Sequence, residues 1–175
     1  MRSQDEAAIV ACIPSLRRYA RGLTSHRDQA DDLVQDTLER AWKQFSLWQR
    51  RSDIRAWMFG ILHNRFIDLA RSQRRSVEQD VGDSLPEWPQ RAMQTDQLEI
   101  RDLQGALQRL PMEQREVLLL IGVEGLTYQE ASSVLDIPLG TVMSRLSRGR
   151  ESLRLALQGP EAQEVIPARM QLVKS

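Results

Sequence analysis

The residues best suited to chemistry lie in the stretch LTYQEASSVLDIPLGTVMSRLSRGR, Leu126 to Arg150. That chemistry is hydrogen bonding and charge neutralisation rather than bond making. Leu139, Thr141, Ser144, Arg145 and Arg148 fall on one face of a helix whose other face carries Val142, Leu146, Gly149 and Leu153. The first face starts small and polar and ends basic. A helix in the major groove of DNA needs this order: short side chains beside the bases, and guanidinium groups for base edges or phosphates. Gly140 would let the backbone approach closely. A packed helical hairpin with a solvated basic face would share the pattern.

The elements that must hold this helix are also legible. Thr127 followed by Glu130 is a capping box, so a helix starts at Tyr128 with Tyr128, Ala131, Val134 and Leu135 facing inward. Asp136 sits where a tight turn needs a residue that tolerates left-handed backbone angles, and Pro138 suits the first turn of the next helix. The spacing is that of a helix-turn-helix.

Across the 175 residues, 24 Lys and Arg balance 24 Asp and Glu, giving a formal net charge of zero. Zero charge would argue against a nucleic-acid partner if it were evenly spread, but it is blocked. Arg50 to Arg75 holds seven arginines against Asp53 and Asp68, Asp28 to Arg40 holds five carboxylates against one arginine, and Glu78 to Asp102 holds seven carboxylates against Arg91 and Arg101. Such blocks imply several surfaces with different partners. Cys12 is the sole cysteine, flanked by Ile9, Val10 and Ile13, so it reads as a packed thiol in a reducing cytosol and excludes an internal disulfide or cysteine metal cluster. The longest apolar run, Val117 to Val123, is far short of a bilayer span, and the N-terminus lacks a signal-peptide pattern. The expectation is a cytoplasmic protein with no membrane insertion. No paired carboxylates, phosphate loop or nucleophile-base set suggests an enzyme, and no metal or cofactor is expected.

Apolar periodicity is helical nearly throughout, so the fold is expected to be all-α. Ala30, Leu33, Val34, Thr37, Leu38, Ala41, Trp42 and Phe45 form one stripe. Ile54, Trp57, Met58, Ile61 and Leu62 form another, and Ile9, Ile13, Leu16 and Ala20 mark a first helix that Pro14 starts or kinks. This N-terminal bundle of three or four helices ends near Arg75. Ser76 to Asp96 is acidic, contains Gly82, Pro86 and Pro89, and reads as a flexible linker in which Trp88 could anchor the chain. Periodicity resumes at Leu98, Leu103, Leu107 and Leu110, breaks at Pro111, and continues through the hairpin to Leu157, after which a loose tail follows. The result is two small helical domains on an acidic tether.

Three blocks in order, DQADDLVQDTLERAWKQF, DIRAWMFGILHNRFIDLARSQRR and the segment from LQRLP to ESLR, resemble the extracytoplasmic-function (ECF) group of bacterial sigma factors. The resemblance covers roughly Ile9 to Leu157, and the spread of blocks is similar to the subgroup that runs the general stress response of alphaproteobacteria. It implies a factor that binds core RNA polymerase and recognises the −10 and −35 promoter elements. Residues 1–75 would be sigma domain two, 76–96 the linker, 97–158 sigma domain four with the helix-turn-helix on the −35 element, and 159–175 a tail. Asp31, Asp32, Leu33, Gln35, Asp36 and Glu39 would then grip the polymerase clamp. Asn64 would bond a base edge of the −10 element, while Arg65, Arg71, Arg74 and Arg75 neutralise phosphates. The segment Ser46 to Ser52 corresponds to the loop that captures a flipped base, and Trp48 either stacks on that base or caps the bundle. Trp57 reads as core. His63 has no ligand or triad partner in the sequence and reads as surface or DNA-adjacent. The resemblance also implies an anti-sigma protein as partner, and a linker that threads toward the RNA exit path.

Ala131, Ser132, Asp136 and Met143 depart from the usual hairpin pattern; Met143 stands where a Lys is common and removes one phosphate contact. A sigma-like decoy that sequesters the anti-sigma protein should lose the basic positions, which this chain keeps. A dimeric helix-turn-helix repressor would not explain the acidic helix or the tether.

Overall fold

The computed structural model describes residues 3–24, 26–45, 48, 53–79 and 95–158, with the side chains of 3–5, 73–79 and 95–101 left aside. Residues 80–94 of the central linker with Trp88, the base-capturing loop apart from Trp48, the tail, and the Arg74 and Arg75 side chains lie outside the described residues.

Three helices form the first unit: α1 (Ser3–Leu23), α2 (Arg27–Gln44) and α3 (Ile54–Gln79). On α1, Ile9, Cys12, Leu16, Tyr19, Ala20 and Leu23 step by three and four and are all buried. Pro14 sits exposed inside α1, eleven residues after the helix starts, so it does not begin it. On α2, Ala30, Leu33, Val34, Thr37 and Ala41 face inward, and the Thr37 hydroxyl donates to the Leu33 carbonyl at 2.7 Å. Ala41 takes the inward place, so Trp42, one residue further round the helix, is 51% exposed and leaves the expected stripe. Met58, Phe59 and Leu62 of α3 complete the core, with Tyr19 meeting Phe59 edge-on at 5.3 Å. Helix α3 runs four residues past Arg75, so the start of the expected linker is helical.

The second unit contains α4 (Thr95–Arg109), α5 (Met112–Val117), a π-helical turn (Leu118–Val123), α6 (Tyr128–Leu135) and α7 (Leu139–Gln158). Leu118, Leu119 and Leu120 are all buried, although consecutive helical residues point in different directions. This segment is therefore packed from several sides. Leu118 lies against Gly149 of α7, where an added Cβ would fall 3.0 Å from its Cδ1. Leu119 lies against Gly22 of α1, where an added Cβ would fall 2.6 Å from either Cδ. The two units are not merely tethered: α1 packs on α4, α5 and the π turn, and α3 packs on α6.

The helix-turn-helix forms as expected. Thr127 Oγ1 accepts from the Glu130 N–H at 3.2 Å, and Glu130 Oε2 accepts from the Thr127 N–H at 2.7 Å. Asp136 is left-handed at φ 51°, ψ 48°. Gly125 has φ 69°, a conformation that makes glycine the natural residue there. Leu126 and Ala131, at the staple positions flanking the cap, are both buried, so Tyr128 is displaced outward and 39% exposed rather than inward. Replacing Thr127→Ala removes the reciprocal cap and should lower stability by about 1 kcal/mol in urea unfolding, with Thr127→Ser retaining most of it.

Candidate nucleic-acid and protein interfaces

Helix α7 presents a stripe at spacings of three and four: Gly140, Met143, Ser144, Ser147 and Arg148 are exposed, with Leu139 and Arg150 beside it. Thr141 and Arg145 are not on it. Arg145 turns toward α5, its side chain 23% exposed and its Nη2 3.2 Å from Glu113 Oε2. The face expected to carry Arg145 is thus rotated toward Met143 and Ser147, because Val142 and Leu146 set the inward direction and their neighbours Thr141 and Arg145 flank it. Met143 is apolar and Ser147 unremarkable, so only their spacing from Gly140 and Ser144 could have flagged them. Tyr128, Met143, Ser147, Arg150 and Arg154 line a shallow recess of about 510 Å³ beside the stripe.

On α2, Asp31, Asp32, Gln35 and Glu39 are exposed. Leu33 is only 1% exposed and lies beneath this face rather than on it. Asp36 Oδ2 accepts from Arg65 Nε at 2.8 Å, so one residue expected on a protein interface and one expected on DNA are tied to each other. Asp32, Gln35, Asp36 and Glu39 edge an open groove of about 860 Å³ with Leu33, Phe66, Leu69 and Ala70 among its apolar lining. Gln108 and Arg115 of the second unit close one side.

Asn64 and Arg71 of α3 are exposed. Trp48 lies half-buried in an aromatic cluster, 5.5 Å from the Phe45 ring and 6.0 Å from Trp57, which supports its role as a bundle cap. His63 is buried rather than on the surface, because the second unit covers it: its Nδ1 is 3.5 Å from Glu116 Oε1. Burial pushes the Glu116 carboxyl up to about 7, an effect that Arg145 and Arg115 oppose and Glu113 reinforces. Burial likewise lowers His63 to about 4. His63, Asn64, Asp68 and Arg71 face Glu113, Glu116 and Arg145 across a crevice of about 390 Å³.

The rest of the contact between units is strongly polar. Glu124, at the end of the π turn, has a fully buried side chain that accepts from Arg18 Nε at 3.1 Å and Nη2 at 2.8 Å, and lies 3.3 Å from Arg55 Nη2. Arg55 also donates to the Glu124 carbonyl. Gln108 Nε2 donates to the carbonyls of Gly22 and Thr24, and Arg115 Nη1 to that of Leu23. The second unit therefore caps the C-terminal end of α1, whose carbonyls have no partners within the helix.

Residues 9–63 match the profile of the sigma2 domain of PhyR, and residues 100–153 match region 4 of sigma-70. The ECF RNA polymerase sigma factor EcfG of Rhodopseudomonas palustris is 38% identical over 159 residues, covering 91% of this chain and 88% of that protein. This chain belongs to the ECF sigma factors. Among solved structures, the sigma factor RpoE in complex with the anti-sigma factor NepR from Bartonella quintana superposes with a TM-score of 0.81 at 33% identity, covering 91% of this chain and 99% of that one. CnrH in complex with the cytosolic domain of CnrY gives 0.63 at 27% identity, covering 83% and 82%. The two matched regions of this sigma factor are its two helical units, and it directs RNA polymerase to promoters without catalysing a bond change itself.

The buried pair between the units has a defined pH signature. A carboxyl raised from 4.5 to about 7 stabilises the folded sigma factor below 4.5 and ceases to do so as pH rises through about 7. A histidine lowered from 6.5 to about 4 acts oppositely, weakening the fold as pH falls through that window. Glu116→Gln removes the first effect alone. It should raise stability at pH 8 by roughly 1–3 kcal/mol, a gain that shrinks to nothing below pH 4.5 in urea titrations. An unchanged or lowered midpoint at pH 8 would contradict this.

Proposed function

We propose that domain four, residues 97–158, reads the −35 element with Gly140, Met143, Ser144, Ser147 and Arg148, flanked by Leu139, and that Thr141 and Arg145 position the helix. Domain two, residues 1–75, reads the −10 element with Asn64, while Arg71, Arg74 and Arg75 neutralise phosphates. Asp31, Asp32, Gln35 and Glu39 engage core polymerase. The observation that carries this reading is the α7 stripe, small and polar at its N-terminal end and basic at Arg148, on a separate element from the exposed carboxylates of α2. Exposed Met143 adds an apolar contact of the kind that a thymine methyl group fits.

An anti-sigma protein is the regulatory partner this reading implies, since the similar RpoE and CnrH structures were each solved with one or with a partner domain. The factor acts in the cytoplasm, in keeping with the lack of any described helix long and apolar enough to cross a membrane. The resemblance of the sequence blocks to the general-stress subgroup supports a role in a general stress response. The decoy reading draws support only from the PhyR profile over 9–63; the intact α7 stripe and the likeness to EcfG favour an initiator.

Run-off transcription with core polymerase and a promoter library tests this. Arg148→Ala should cut initiation from −35-bearing promoters by about tenfold. Asn64→Ala should change −10 preference rather than lower all promoters equally. Asp32→Lys with Glu39→Lys should weaken holoenzyme formation while leaving helical content intact. A chain that forms no holoenzyme would be a decoy.

A further inference from the structure

Two side chains suited to different partners hold each other. Asp36 belongs to the acidic helix α2 and Arg65 to α3, the helix that carries Asn64, and Asp36 Oδ2 accepts from Arg65 Nε at 2.8 Å. Their neighbours Asp32, Gln35 and Glu39 on one helix and Asn64 on the other are exposed and have roles assigned above. The pair itself has none.

Its setting differs from that of the other paired arginine at the start of α3. Arg55 is bound to Glu124, whose side chain has no exposed surface, so no outside group can compete for it. Asp36 keeps 41% of its side chain exposed and Arg65 27%. Asp36 also edges the open groove beside Asp32, Gln35 and Glu39. An ion pair this open to water is weak, because solvent screens it and two long side chains lose freedom in holding it. A basic partner drawn to α2 by Asp31, Asp32 and Glu39 would therefore readily replace Arg65 at Asp36. The guanidinium so displaced is a strong donor to phosphate. Arg65 follows Asn64 in the chain, one helical step of about 100° around α3, so the freed side chain stands beside the base-reading position.

We propose that Asp36 and Arg65 form an exchange pair: Asp36 holds Arg65 back in the free factor, and polymerase, by taking Asp36, hands Arg65 to a phosphate of the −10 strand. This rests on the assignment of α2 to polymerase and of Asn64 to the −10 element. Docking on one helix and DNA binding on the next are linked by a single change of partner. The link is reciprocal, since a strand that takes Arg65 leaves Asp36 free for polymerase.

The test uses the full chain, alone and in holoenzyme, with a single strand carrying the −10 element taken from the run-off selection. Fluorescence anisotropy follows its affinity against salt. In holoenzyme, Arg65→Gln should weaken binding about threefold and lower the salt slope by about 0.7, the loss of one phosphate contact on a single strand. In the free chain, where Arg65 is held, the same substitution should not alter the slope. Asp36→Asn should give the free chain that contact without polymerase: binding about threefold tighter and a slope steeper by about 0.7, with no gain on the Arg65→Gln background. Circular dichroism checks folding, and where Arg65→Gln loses helix, Arg65→Met, which keeps the apolar stem, replaces it. The proposal is overturned if Arg65→Gln leaves the holoenzyme slope unchanged or lowers that of the free chain. It is overturned as well if Asp36→Asn brings no gain, or the same gain on both backgrounds. Holoenzyme assembly by Asp32→Lys with Glu39→Lys, and −10 preference of Asn64→Ala, are separate readouts, so a failed exchange and a failed assignment of either face are told apart.

Discussion

The carboxylate of Glu124 has no exposed surface and two arginines around it. A buried carboxylate is tolerable only when paired and hydrogen-bonded, so the position of domain four on domain two is fixed by where Arg18 and Arg55 stand. The π-helical turn is what delivers it: the Glu124 N–H donates five residues back to Leu119, widening the last turn before Gly125 reverses the chain. The same segment sends Leu118 into domain four against Gly149 and Leu119 into domain two against Gly22. One short stretch, Leu118 to Gly125, therefore joins both cores and carries the charge that aligns them.

Local features were readable from the sequence because local chemistry decides them. The Thr127–Glu130 cap and the left-handed Asp136 each depend on a few neighbouring residues. Where the reading went astray, a long-range contact or a fine rotation decided. His63 is buried against Glu116, 53 residues further along, and Arg18 meets Glu124 across 106 positions. Trp42 and Tyr128 fit an apolar stripe by type, yet Ala41 and Leu126 occupy the inward places and leave the larger rings outside. Leu33 lies in the acidic block by sequence but under it in space. On α7, one residue is a turn of 100°, enough to move Arg145 from the open stripe to the flank and bring Met143 and Ser147 onto it.

The zero net charge also gains a physical meaning. Acid and base sit in separate blocks, and the fold uses some of each internally: Arg65 on Asp36, Arg145 on Glu113, Arg18 and Arg55 on Glu124. What remains outward is an acidic α2 and a basic end to the α7 stripe, the two surfaces a sigma factor needs for a protein partner and for DNA. The contact through Glu124 fixes how the two domains sit in the free factor.

The distance between the two domains, measured in the free factor and again in the promoter-bound holoenzyme, tests this most directly. Cys12 is buried and the only native cysteine, so dyes can be placed at Arg17→Cys on α1 and Ser133→Cys on α6, both exposed positions. Single-molecule energy transfer should give a short distance in the free chain and an increase of several tens of ångströms with polymerase and promoter, in keeping with elements roughly 85 Å apart. An equal distance in both states would contradict the account.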